Sequence, residues 1–404
     1  MPWFDYKARN SYGEVINGRL EAVNEQNVAK YLIAQKIIPL EILRTQTQVK
    51  KFSWRFPRKI TLKDLAFFCR QLHTLLKAGV PIFEAFFSLR QSNNNTPLGE
   101  VLAKLIVHLE AGMELSEAFK RQNKIFSPLF ISLVKIGEHT GSLDAAFLQL
   151  SIYLEKEQNM RANIVAALRY PIIIFIAIAI ALVVVNIFVI PSFAKFFEKN
   201  HATLPLLTRL LFGFSDVMIH YWYLLLGIVG GTIVWIKKIL EQPAGKLQWD
   251  KLKLKLPIIG SILINAALSR FARALAINMK SGMPWSHAMA LIGQSMANTH
   301  LEKIVSRMGQ HIERGESMAK AARDAHIFPP LVIQMIHVGE QSGSLDELME
   351  EVAQYYDREV DYALKSMSAA IEPILTLVIG AFILVLALGI FLPMWGIAGA
   401  ALKK

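Results

Sequence analysis

The sequence predicts a mainly α, integral membrane fold with two homologous cytoplasmic helical bundles of about six helices each, three transmembrane helices and a small N-terminal β-containing module. Composition points there first: 53% of the 404 residues are hydrophobic and only 19% charged, too apolar a balance for a wholly soluble chain of this length. Long uncharged runs are the second sign. The third is an internal duplication whose period is 203 residues and then 202.

In chain order, residues 1–50 alternate loosely between polar and apolar, as in "FDYKARNSYGEVINGRLEA", with Gly13 and Gly18 at expected turn positions. That pattern predicts the β-containing module. No apolar run near the start could act as a secretory signal, so this module is expected to stay where it is made. The basic, turn-prone "QVKKFSWRFPRK" predicts a linker over 51–60. From 61 to 170 the apolar spacing is helical. Leu65, Phe68, Cys69, Leu72, Leu75 and Leu76 share one face, Gly79 ends that helix and Pro81 starts the next. Further helices fit near 98–111, 115–122, 128–139 and 143–169, with breaks at Gly112, Pro128 and Gly141.

Residues 171–190, "PIIIFIAIAIALVVVNIFVI", carry no charge, and at ~1.5 Å per residue they match a hydrocarbon core of about 30 Å. The second span is expected over 217–236, with Tyr221, Trp222, Tyr223 and Trp235 as interfacial aromatics and with Gly227, Gly230 and Gly231 permitting close helix contact. A third begins at Pro373 and covers 373–393. The bundle helices before the first and third spans are expected to continue into them, with Pro171 and Pro373 producing kinks rather than stops. Lysines and arginines number three, six and two over 155–170, 237–255 and 355–372, against three and two over 191–220 and 394–404. This bias places the N-terminal 170 residues and 237–372, a linker plus the second bundle, in the cytoplasm. It leaves 191–216 as a short periplasmic loop and 394–404 as a periplasmic tail.

The duplication orders these parts. "FCRQLHTLLKAGVPIFEAF" from Phe68 aligns with "FARALAINMKSGMPWSHAM" from Phe271, and "HLEAG" at His108 with "HIERG" at His311. One residue is then lost, and Gly137 pairs with Gly339, Tyr153 with Tyr355, Pro171 with Pro373 and Pro191 with Pro393. Each copy is a bundle followed by an outgoing span, so the middle span is a return helix. A transporter would be expected to show inverted repeats and intramembrane charge; here Asn186 is the one strongly polar residue inside the expected spans.

The chemistry-bearing candidates sit in a turn that occurs twice: "GEHTGSLD", with Gly137, Glu138, Gly141, Ser142 and Asp144, and "GEQSGSLD", with Gly339, Glu340, Gly343, Ser344 and Asp346. Gly141 and Gly343 can take positive φ and end a helix. Ser142 and Ser344 are natural N-caps of the next helix, with Asp144 and Asp346 favourably placed in its first turn and Glu347 completing a capping box with Ser344. Glu138 and Glu340 oppose the dipole of the helix they end. Either each carboxylate accepts N–H groups at the start of the following helix, or it meets a partner subunit or a hard cation such as Ca²⁺.

No lysine follows the second glycine, which excludes a phosphate-binding loop, and no His-Glu-x-x-His or G-x-S-x-G sequence occurs. His108 and His311 stand alone on their helices, and Cys69 is expected to pack. No catalytic residue, cofactor or nucleic-acid platform is expected, although the chain carries a net charge of +12.

Together, the two K-x-G-x-P and G-E-x-x-G-S-L-D sets, "VIPSFAKFFEKNHATLPLLT", "LPIIGSILINAALSRFARALA" and "FLPMW" resemble the inner-membrane platform proteins shared by type II secretion systems and type IV pili. The resemblance implies a non-enzymatic scaffold that forms a homo-oligomer in the bacterial inner membrane and contacts lipid. It also implies three kinds of partner: a cytoplasmic assembly ATPase, pilin or pseudopilin subunits, and other inner-membrane assembly proteins. Pilus and secretion platforms share all these motifs. The overall similarity leans to the pilus, of the mannose-sensitive haemagglutinin kind.

Overall fold

The computed structural model describes residues 3–9, 15–21, 24–34, 37–44, 59–94, 96–199 and 205–401. Two compact units divide the chain, Met1–Arg58 and Lys59–Lys404.

The first unit is a three-stranded antiparallel sheet, β1 (Trp3–Arg9), β2 (Val15–Glu21) and β3 (Ile38–Arg44), in the order β2-β1-β3, with α1 (Glu25–Ala34) between β2 and β3. Phe4 and Ala8, on one face of β1, bury against Val28 and Leu32 of α1. Gly18 is not a turn residue. It lies within β2 opposite Tyr6, where a Cβ would come 2.5 Å from the tyrosine ring. Pro39 is tolerated because β3 is an edge strand, and a bulge between Lys7 and Ala8 absorbs the irregularity. Gly13 and most of the expected linker lie outside the described residues.

The second unit is helical throughout. Bundle one comprises α2 (Leu62–Lys77), α3 (Ile82–Ser92), α4 (Pro97–Glu110), α5 (Leu115–Lys120), α6 (Pro128–Thr140) and α7 (Leu143–Val184). Thr61 opens it with a reciprocal capping box: its hydroxyl accepts from the Asp64 N–H at 3.2 Å, and its own N–H donates to the Asp64 carboxylate at 2.8 Å. α7 passes through Pro171 without a break, winds as a π-turn over Val185–Val189, and continues as α8 (Ile190–Lys199). The chain returns through α9 (Leu206–His220), α10 (Trp222–Glu241) and α11 (Pro243–Lys255). Bundle two repeats the first as α12 (Ile259–Lys280), α13 (Trp285–Ser295), α14 (Thr299–Glu313), α15 (Met318–Asp324), α16 (Pro330–Ser342) and α17 (Leu345–Ala401), the last running unbroken through Pro373.

Several boundaries differ from expectation. Within 191–216 the described residues other than Pro205, the N-cap of α9, belong to α8 and α9 and not to a loop. The backbone leaves the helical region at Tyr221 (φ −115°, ψ 18°), so the return helix starts at Trp222 and Val217–His220 belong to α9. α10 confines its charges to Lys237, Lys238 and Glu241 at one end. Among the described residues nothing lies within 4 Å of where a Cβ would stand at Gly227, Gly230 or Gly231, so this stripe meets no other described helix. Among the described residues three helices are long and apolar enough to cross a membrane: the α7–α8 rod, α12 and α17. The rods leave their apolar stretches almost wholly uncovered, whereas 67% of the apolar window of α12 is buried, which makes α12 the central helix of bundle two.

One continuous apolar core runs through both bundles. In bundle one it is aromatic: Phe119 meets Phe126 and Phe130 at ring-centroid distances of 4.5 and 5.0 Å, and Phe68, Phe86 and Phe147 surround them. In bundle two the duplication retains Phe271 and Phe328, 4.6 Å apart, and sets Met289, Ala322, Val332 and Met349 in place of the other four rings. Cys69 is fully buried in this core, and burial pushes its thiol well up. The thiol is therefore expected to resist maleimide in the folded chain. Because the core is continuous, labelling should begin at the same denaturant concentration at which circular dichroism reports loss of the bundle helices.

Candidate functional site

The repeated turn is built by a left-handed glycine and two close approaches. α6 ends at Gly141 (φ 71°) and α16 at Gly343 (φ 75°), both left-handed as their position requires. Gly137 and Gly339 let the ending helix cross the beginning of the next: a Cβ at Gly137 would stand 2.7 Å from the Ala146 Cβ, and one at Gly339 2.8 Å from the Leu345 Cα. The glutamates reach backward. Glu138 accepts the N–H of Leu115 at 2.6 Å and of Ser116 at 3.0 Å. Glu340 accepts those of Met318 at 2.9 Å and Ala319 at 3.3 Å. Each therefore caps the short helix preceding its own, α5 or α15, and not the following helix.

A one- to two-turn helix is too short to hold its own shape in water, and a carboxylate accepting its first two N–H groups satisfies both the orphan donors and the dipole. The serines do less than expected. Ser142 makes no side-chain cap bond; its hydroxyl pairs with Thr140 at 2.6 Å, as that of Ser344 does with Ser342, so Glu347 has no capping box to complete. Asp144 contributes its carbonyl, which accepts from His73 Nδ1 at 2.8 Å. Asp346, like Asp144, lies in the first turn of its long helix. Among the described residues no three His, Cys, Asp or Glu side chains gather as a metal site would require, and both oxygens of each capping glutamate are already engaged.

A second assembly, at the base of the rods, escaped the sequence reading. Arg70 of α2 pairs with Glu155 of α7 at 3.0 Å, and its counterpart Arg273 of α12 pairs with Asp357 of α17, which also accepts from Ser269 at 2.6 Å. Arg273 also faces Glu350 at 3.6 Å. One pairing crosses between copies: Glu157 of α7, nearly buried, accepts from Arg270 of α12 at 2.8 Å and from Arg161 at 2.7 Å. Burial first, and then the Glu157 charge, pushes the Tyr153 hydroxyl up to about 12 against the opposing pull of Arg270, Arg273 and Arg161. One turn on, Asn163 donates to Asp361 at 2.9 Å, and Met160 packs with Ile262, Val360 and Leu364. α12 is thus fastened to both rods.

Deeper along the rods, Asn186 in the π-turn is buried. Its side-chain N–H donates to the Leu182 carbonyl at 2.8 Å, and its own carbonyl accepts from Ser215 of α9 at 2.7 Å. Thr208 of α9 donates to the Gly389 carbonyl of α17 at 2.8 Å. α9 therefore joins the two rods.

One more cap and one more side-chain pair lie outside the repeated turn. Asp250 of α11 accepts the Thr299 N–H at 2.8 Å and pairs with Lys253 at 2.7 Å. Burial raises its pKa, but the bonds from Lys253 and Thr299 outweigh that and hold the carboxyl below its usual 3.8. His311 does not stand alone, since its Nδ1 meets Glu316 at 3.1 Å.

Glu138→Ala and Glu340→Ala each leave two N–H groups without their acceptor, and each is expected to cost about 1–3 kcal/mol in denaturant titration of the full chain. Gly137→Ala should be destabilising by a similar ~1–3 kcal/mol through overpacking. Because the folded pKa of Asp250 is depressed, its contribution is complete above about pH 4 and falls away as the pH drops through the folded value. Asp250→Asn should therefore lower stability at pH 7 and narrow the difference from the parent chain below pH 3.5, read by titration at both pH values.

Residues 68–191 and 271–393 each match the family described as type II secretion system (T2SS), protein F, and residues 1–43 match its N-terminal domain. The type IV pilus assembly protein PilC of Thermus thermophilus is 33% identical over 99% of both chains. PilC of Myxococcus xanthus is 29% identical over 98% of this chain and 95% of its own. The type II secretion system protein F of Pseudomonas aeruginosa is 30% identical over 97% of this chain and 98% of its own.

Proposed function

The chain belongs to the type II secretion system protein F family, and from that membership we propose that it is the inner-membrane platform of a type IV pilus assembly machine. The observation that carries this reading is the end-to-end match to a relative named for pilus assembly, which takes in the N-terminal module, both bundles and the spans. The protein F of a type II secretion system matches over nearly the same length, so a secretion platform is the second reading.

The mechanism proposed is mechanical. A cytoplasmic assembly ATPase acts on the bundles, the rods α7 and α17 carry the displacement into the bilayer, and pilin subunits are lifted there into the fibre. The chain supplies no chemistry of its own. Three features support this division of labour: rods without a break between bundle and membrane, a core shared by both bundles, and α12 fastened to both rods. The N-terminus and both bundles lie in the cytoplasm and the C-terminus in the periplasm, as the excess of lysine and arginine beside the bundles favours.

Deleting the coding gene is expected to abolish surface pili, counted by electron microscopy, while leaving exoprotein secretion intact; the opposite pattern would establish the secretion reading. A reporter active only outside the cytoplasm should give signal when fused after Asn200 and none after Gln294. Reversal of the two signals would refute the topology.

A further inference from the structure

The contact between the two bundles is one-sided. The equivalent rods α7 and α17 touch each other, and beside that pairing bundle two brings α12 against α7 and α13 against α6, whereas α2, the counterpart of α12, packs within bundle one on α3 and α7. Corresponding residues therefore differ in exposure. The Arg270 side chain is 13% exposed, and Phe67, 203 positions earlier, is 63% exposed. On the other side Met160 is 8% exposed and its counterpart Tyr362 64%. Tyr153 and Ile136 are likewise partly covered, while Tyr355 and Val338 stand in the open. Each bundle thus shows the half of the interface that the other bundle uses.

We propose that a second copy of this chain covers these faces, its α2–α3 face seated on the α16–α17 face of the first, so that the contact made once within each chain is repeated between chains. The internal contact itself specifies the occupant, because the uncovered Phe67, Val338, Tyr355 and Tyr362 are the counterparts of Arg270, Ile136, Tyr153 and Met160, which are covered where the bundles join inside the molecule. Transposing its pairs by the repeat spacing gives the register. Arg270 with Glu157 becomes Phe67 with Glu359, and Ser281 with Gln149 becomes Ala78 with Glu351, with Lys77 alongside to answer that charge.

The chemistry fits a protein partner better than water. Phe67, Phe83 and Phe87 are exposed on α2 and α3, and Tyr355 and Tyr362 on α17; because Tyr153 lies near Arg270, transposition sets Tyr355 beside Phe67, and aromatic side chains of this kind fill interface centres. The contact is head-to-tail, so it propagates from chain to chain and ends only by closing into a ring. It rests on the duplication and on burial, independently of which fibre the platform serves.

The test uses the full-length chain in its membrane. Two differently tagged copies are co-expressed, one carrying Phe67→Cys and the other Glu359→Cys, and then oxidised. The native Cys69 is buried and stays silent. The expected result is a disulfide-linked dimer bearing both tags, several-fold more abundant than any dimer formed by two Phe67→Cys or by two Glu359→Cys chains. Absence of the mixed dimer, or like-with-like dimers in equal amount, would overturn the proposal. In detergent, Phe67→Glu sets like charges together opposite Glu359 and should dissociate the assembly by light scattering, and Glu359→Arg should restore it. An assembly indifferent to Phe67→Glu refutes the register.

Discussion

A single unbroken helix must satisfy two solvents, and most of the structure follows from that demand. α7 buries Phe147, Leu150, Leu154, Glu157 and Met160 along one stripe of the bundle, at the three- and four-residue spacing of an amphipathic helix. Beyond Met160 the stripe ends, and the apolar residues face outward all round, as a bilayer requires. No loop intervenes to relax the change of environment. The bundle must therefore hold the helix firmly at the point where its surroundings change, and the ion pairs of Arg70 and Arg270 lie in that stretch of α7, as that of Arg273 does on α17.

The duplication separates what this arrangement needs from what it tolerates. The arginine–carboxylate pair between the first and last helix of each bundle is kept, as are the left-handed glycines Gly79, Gly112 and Gly141 at Gly282, Gly315 and Gly343. The core is not kept, since four of its phenylalanines have given way to smaller or more flexible side chains. The retained ion pair also changes its energetic meaning. Arg70 and Glu155 are half exposed, and such a pair contributes at most about 1 kcal/mol. Arg273 is buried, and removing Asp357 would leave its charge out of water with only the longer contact to Glu350, so the same pair weighs more here than in bundle one.

Much of this was legible in the sequence because it depends on local spacing. The helices of bundle one, their ends at Gly79, Gly112 and Gly141, and the continuation through Pro171 all follow from periodicity and backbone preference. The capping glutamates were visible as an anomaly, but not their targets: Glu138 lies 23 residues from Leu115, and only the folding of α6 back onto α5 brings them together. The same limit hid Asp250 and the Glu157–Arg270 pair, which is 113 residues apart. Tyr221 misled in a different way, since a run of apolar residues carries no sign of a bend in the backbone within it. Ser142 satisfied every local rule for a cap and still turned to Thr140.

The π-turn at Val185–Val189 has a geometric consequence for the two outward ends. The repeat spacing stays at 202 residues from Gly137 to Pro191, so no residue has been inserted in one rod relative to the other. Yet a turn closed by i→i+5 bonds winds less per residue than the α-helical turns at the corresponding positions of α17. Past this point, homologous residues no longer share an azimuth about their rod. The outer face of one rod is thus re-aimed by how the rod is wound, with its number of residues unchanged.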